Sequence, residues 1–128
     1  MNYIELTGNN GSVPNPYFKQ FNLFLFEDGS AKLDVINGRE SESTIVESET
    51  KNISPEKISE LKKRSQLLGK NPNNSVMVGG PEKIIVINFK GKIKTIVVNQ
   101  ENTGAFDFFF ECLQLYDTGL EQRLADIL

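Results

Sequence analysis

The sequence predicts an α+β domain: an antiparallel sheet of about five to six strands, with two helices packed mainly on one face. Three observations carry this reading. The segments Asn22 to Val35 and Lys83 to Val98 each place two β-rich runs around a Gly-bearing turn. A stretch with strong helix-start chemistry, from Ser54, lies between them. A Phe-rich stretch, Thr103 to Tyr116, follows the second hairpin and has a helix's length.

Tyr3 to Thr7 reads as a first strand, with Ile4 and Leu6 on one face. The next residues, 8–16, hold two Gly, two Pro and three Asn, which make a regular element costly. Tyr17 to Phe26 reads as a strand, Glu27 to Ser30 as a turn around Asp28-Gly29, and Ala31 to Ile36 as the returning strand. Phe21, Leu23 and Leu25 share one face of the first of these strands and Phe24 and Phe26 the other. The second face is too apolar for open solvent, so a covering loop, the C-terminal helix or another chain is expected there. After the Asn37-Gly38 turn, Ser43 to Glu49 alternates Ser and Glu in the manner of a charged edge strand.

Ser54 stands at the N-cap position, where its oxygen is expected to accept from a helix amide. Pro55 follows at the first helical position, and Ile53 and Ile58 have the spacing of a hydrophobic staple. Ile58, Leu61, Ser65 and Leu68 keep helical spacing, and Gly69 is expected to stop the helix. The second hairpin is apolar on both sides near its middle, which places it centrally in the sheet. In the Phe-rich helix, capped by Asn102 or Thr103, Phe106, Phe109, Phe110 and Leu113 form one stripe; Phe108, Cys112 and Leu115 form a second. So much apolar circumference predicts burial on more than one side. Gly119 ends this helix, and residues 117–128 form a short tail helix of a single domain spanning 1–128.

Composition narrows function by exclusion. There is no histidine, so neither a Ser–His nor a Cys–His nucleophile pair nor an imidazole metal site is available. Cys112 is the one cysteine; it sits in an apolar run beside Asp107 and Glu111, which disfavours a thiolate. The glycines of the two hairpin turns lie between strands, so neither forms a phosphate-cradling loop. No enzyme activity, cofactor or metal is expected. The net charge of −3 argues against nucleic acid as partner. No apolar run reaches the length of a membrane span, and the N-terminal residues do not read as a signal peptide, so a cytoplasmic location is expected.

Pro14 to Tyr17, Asp28-Gly29, Ser54 to Glu56, Gly79-Gly80 and Gly91-Lys92 recur in the same order in a group of small uncharacterised bacterial α+β domains, which this sequence resembles over about residues 3–116. That resemblance implies the same hairpin-and-helix layout. It brings no active site.

These features point to a non-catalytic protein-binding module, with an immunity or inhibitor protein that neutralises a partner as its most specific form. The candidate partner-binding residues are Glu40, Glu42, Glu47 and Glu49, aimed at a basic cleft, together with Tyr17, Phe24 and Phe26. Two alternatives stand beside this reading. One is a homodimer or larger structural oligomer, joined through Phe24, Phe26 or the Leu120/Leu124 tail. The other is a binder of small apolar ligands between sheet and helices, lined by Phe106, Phe109 and Phe110.

Overall fold

The computed structural model describes residues 2–69, 80–99 and 102–128. Its framework is a six-stranded antiparallel sheet built from β1 (Tyr3–Asn9), β2 (Lys19–Phe26), β3 (Ser30–Asn37), β4 (Thr44–Asn52), β5 (Glu82–Phe89) and β6 (Lys92–Val97), in the spatial order β4-β3-β2-β1-β5-β6. The helices are α1 (Pro55–Ser65), α2 (Thr103–Tyr116) and the four-residue α3 (Leu120–Arg123). The α+β class and the one-sided helix layer follow the sequence pattern.

Period-two alternation divides the sheet cleanly. Ile4 and Leu6 of β1, Phe21, Leu23 and Leu25 of β2, Leu33 and Val35 of β3, Ile85 and Ile87 of β5 and Ile96 of β6 all face the helices and are buried. Their partners are Ile58 and Leu61 of α1, Ala105, Phe108, Phe109, Cys112, Leu113 and Tyr116 of α2, and Leu120, Leu124 and Ile127. Gly8 continues the inward row of β1 opposite Phe21, whose ring lies across it. A Cβ at Gly8 would stand 2.4 Å from the Phe21 ring. Phe21 is fully buried and has nowhere to go. Gly8→Ala is therefore expected to cost about 1–3 kcal/mol, as overpacking does, read as a lower unfolding midpoint at unchanged m-value; an unchanged midpoint would show that the ring can move.

Several local expectations are corrected. Tyr17 does not begin β2: Asn15–Tyr17 form a 3-10 turn set by the flanking prolines, and the strand starts at Lys19. Ser54 holds the N-cap position, but its hydroxyl donates to the Glu56 carboxylate at 2.7 Å instead of accepting from a helix amide. Gly69 does not stop α1, which ends at Ser65. There the Ser65 hydroxyl donates to the Lys62 carbonyl oxygen, and Leu67 and Leu68 close tight turns onto Arg64 and Ser65, so the last carbonyls are satisfied before Gly69 is reached. α2 begins as expected, with Asn102 Oδ1 accepting from the Ala105 amide. Its buried arc runs through Ala105, Phe108, Phe109, Cys112, Leu113 and Tyr116, so both proposed stripes contribute and Phe106 is left 37% exposed at the rim.

Two corrections matter for function. The β5–β6 hairpin is not central, since β6 forms one edge of the sheet. Its two-sided apolarity arises because Ile85, Ile87 and Ile96 face the helices while Ile84, Val86 and Ile93 lie on the opposite face. Neither a loop nor the C-terminal helix covers that opposite face among the described residues. Leu120, Leu124 and Ile127 of the tail pack into the core at 0–3% exposure, so their apolar side is occupied within the domain.

Candidate functional site

The four candidate glutamates fall into two pairs with different surroundings. Glu47 and Glu49 lie on β4 opposite Val35 and Leu33, so their side chains point to the helical side of the sheet. There Arg123, at the end of α3, reaches Glu49 Oε1 at 3.2 Å and Oε2 at 3.3 Å, Glu47 Oε2 at 3.5 Å and Asp117 Oδ2 at 3.3 Å. The Tyr116 hydroxyl donates to Glu49 Oε1 at 2.7 Å. These bonds, Arg123's first, hold the Glu49 carboxyl below its ordinary range. Desolvation, then the same carboxylate, pushes the Tyr116 hydroxyl upward. The pair thus ties the β4 edge to the C-terminal segment.

Glu49 is lowered in the folded state, so its contribution is complete above the unfolded carboxyl pKa and is lost as pH falls through the folded value. Between about pH 5 and pH 3, the wild type is expected to lose more stability than Glu49→Gln. Denaturant unfolding at successive pH values checks this; equal slopes would contradict it.

Glu40 and Glu42 lie in a 3-10 turn at Glu40–Glu42, away from Arg123's reach. Asn15 donates to the Glu42 carboxylate, and Glu40 adopts a left-handed backbone (φ 52°). Beside them the loop carrying Pro14 and Pro16 is held by Arg39, a residue that sequence reasoning passed over. Its guanidinium donates to the Val13 and Gly11 carbonyl oxygens at 2.8 and 2.7 Å and stacks 3.9 Å above the Phe18 ring. Tyr17 projects from this loop 69% exposed, and does not pack beneath the prolines. The approach to β5 reaches the same end of the sheet, because Asn9 pairs with Glu82; Gly79 of the Gly79-Gly80 pair lies outside the described residues.

Phe24 and Phe26 occupy the face opposite the helices, which no other described residues cover, stacked with centroids 5.9 Å apart and planes at 8°. Tyr3 of β1 meets both rings edge-on, at 5.7 and 6.3 Å. Next to them Glu5 is flanked across the strands by Phe24 and Val86. Burial among these groups raises the Glu5 carboxyl, with a hydrogen bond to Thr7 opposing. Ile84, Val86 and the 66% exposed Ile93 extend the apolar surface toward β6. On the other flank Lys32 faces Asp34 at 3.6 Å, and Ser48 donates to Asp34 at 2.6 Å. Tyr3 and Glu5 were legible as the partners of Ile4 and Leu6 in the alternation of β1. What hid their role was that the neighbouring strands had not yet been placed.

Cys112 is fully buried, and burial pushes its thiol pKa up. Among the described residues no group of three or more Cys, Asp or Glu side chains is placed to hold a metal ion, and no helix is long and apolar enough to cross a membrane. No protein-family model matches the chain, and no curated protein sequence matches it.

Proposed function

We propose that this protein is a non-catalytic protein-binding module whose partner docks on the uncovered face of the sheet, centred on Tyr3, Phe24 and Phe26. One observation carries the reading: a trio of aromatic rings, two stacked and one edge-on, lies half-buried on the side of the sheet opposite the helices, with Glu5 desolvated beside it. Contiguous apolar surface left partly open to solvent in this way costs solubility, and aromatic residues that supply much contact area at little entropic cost are typical anchors of protein interfaces. A carboxylate held among them costs desolvation energy, and perturbed groups of this sort concentrate at functional surfaces.

The finer form of the proposal is an immunity or inhibitor role, in which the bound partner is an enzyme or toxin that loses activity at one-to-one stoichiometry. Glu40, Glu42 and Tyr17 at the loop end would then supply the polar rim. The same face would also accept a second copy of this chain, which a dimer mass would reveal.

The experiment is affinity capture from the native source with wild type and with Phe24→Lys, whose side chain lies outside the helical core. Wild type is expected to retain one stoichiometric partner protein and Phe24→Lys to lose it, at about tenfold or more in affinity. Equal retention by both proteins would remove the face from the account.

A further inference from the structure

The two edges of the sheet are not alike. β4 carries a bulge at Val35/Ile36 of the neighbouring strand, and Glu47 and Glu49 on it are turned inward to Arg123. Bulges and charges are the usual protection of an edge against stray pairing. β6 has no bulge, and its charges are the two lysines Lys92 and Lys94. It runs without a register shift from Lys92 to Val97, following a two-residue turn in which Lys90 and Gly91 both have positive φ, 53° and 77°. In such a hairpin Phe89 and Lys92 exchange backbone hydrogen bonds, and the pattern repeats at every second pair. The Val98 amide donating to the Lys83 carbonyl oxygen at 2.8 Å has this phase. The amides and carbonyls of Ile93 and Thr95 therefore turn outward, and no described strand pairs with them.

The side chains of this edge are equally particular. Lys92 and Lys94 point to the helical side, where with Lys62, Lys90 and Phe89 they line a cleft of about 460 Å³ between α1 and the hairpin. Lys62 is held by Glu27 at 3.6 Å and lies 4.7 Å above the Phe89 ring; Lys94 donates to the Leu68 carbonyl oxygen. Among the described residues neither Lys90 nor Lys92 has a carboxylate within ion-pair distance. Ile93, between the two lysines in sequence, lies on the other face. The edge thus offers backbone groups, cations at alternate positions on one side and an apolar contact on the other.

We infer that β6 accepts an extended acidic segment of a partner protein as an additional strand. Carboxylates at alternate positions of that segment face Lys92 and Lys94 and enter the cleft, while an intervening apolar residue lies beside Ile93. This inference rests on the protein-binding reading and adds a second contact to it, with the chemistry of the segment specified. Main-chain bonds supply affinity in such strand addition, and alternate side chains supply selection. The chain's own β4 has Glu47 and Glu49 two residues apart, but Arg123 already holds them. A β4-to-β6 contact between copies would also be head-to-tail, giving a ring or an open array in place of a closed pair.

The test uses a fluorescent peptide with alternating Glu and Val, capped at both ends, and the folded full chain. Two further peptides accompany it: one with the same residues in an order that breaks the alternation, and one N-methylated at alternate amides. The alternating peptide is expected to bind wild type and to weaken about tenfold or more with the Lys92→Glu/Lys94→Glu double variant. It should weaken likewise with Ile93→Pro, which removes an outward amide and leaves the β5 bonds in place. Equal binding of all three peptides would reduce the site to a general polyanion surface and overturn the proposal, as would no binding of any. Sedimentation that shows wild type, and not the double variant, forming concentration-dependent arrays would assign the edge to a second copy and also overturn it. If the captured partner of the previous section is retained by both β6 variants and lost by Phe24→Lys, the protein-binding reading stands and the strand-addition proposal falls.

Discussion

Phe109→Ala is expected to lower the unfolding free energy by about 4 kcal/mol, the scale of a large aromatic removed from a core that cannot collapse around the void. Phe109 is fully buried at the centre of the α2 contact with the sheet. Its ring meets Phe21 of β2 edge-on at 6.1 Å and Phe110 at 5.5 Å, so one side chain links the helix to the strand that Gly8 also supports. Denaturant unfolding reads the effect as a drop in midpoint at constant m-value. Phe106→Ala is the internal comparison. Phe106 packs on Phe110 at 4.8 Å but is 37% exposed, so its loss is expected to cost no more than about a third as much. Equal losses at the two positions would contradict the assignment of the buried arc.

Leu120→Ala is expected to cost about 3 kcal/mol without altering the mass of the protein in solution. Leu120 is fully buried and belongs to the same core as α1 and α2, with Leu124 and Ile127 beside it. The Leu124 amide donates to the Leu120 carbonyl oxygen at 2.9 Å, and Arg123 on the outside of the same turn binds β4 through Glu47 and Glu49. The tail is therefore a structural latch. A variant that kept full stability and lost an oligomer would instead restore the tail to a self-association role.

Much of the fold was legible because its signals are local. Asp28-Gly29 and Gly91 mark turns whose strands pair as written, and Gly29 and Gly91 have the positive φ those turns need. Pro55 and Asn102 mark helix starts within one residue of where the helices begin. What failed depended on neighbours distant in sequence. The two-sided apolar pattern of β5 and β6 was read as centrality, because a strand's own residues do not say whether its second face meets helices or an uncovered surface. The Ser54 hydroxyl was assigned to the helix amides, but Glu56 competes for it successfully. Leu120, Leu124 and Ile127 were visible as an amphipathic set, and only the sheet's position shows that their apolar side is already occupied.

The candidate site follows the same division. Phe24 and Phe26 were marked by their place on the wrong face for an ordinary hairpin, and that anomaly led to the aromatic surface. Tyr3 and Glu5 belong to it only because β1 lies between β2 and β5, a fact of topology with no local signature. The glutamates looked like one acidic patch along the chain, but the alternation of β4 sends Glu47 and Glu49 to Arg123 while Glu40 and Glu42 remain at the loop end.

The measurement that bears most directly on the uncovered face as a recognition surface is the paired capture with wild type and Phe24→Lys, each first shown to unfold cooperatively. The account predicts a single stoichiometric partner on wild type and its loss from the variant. A partner retained equally by both, with both proteins folded, would contradict it.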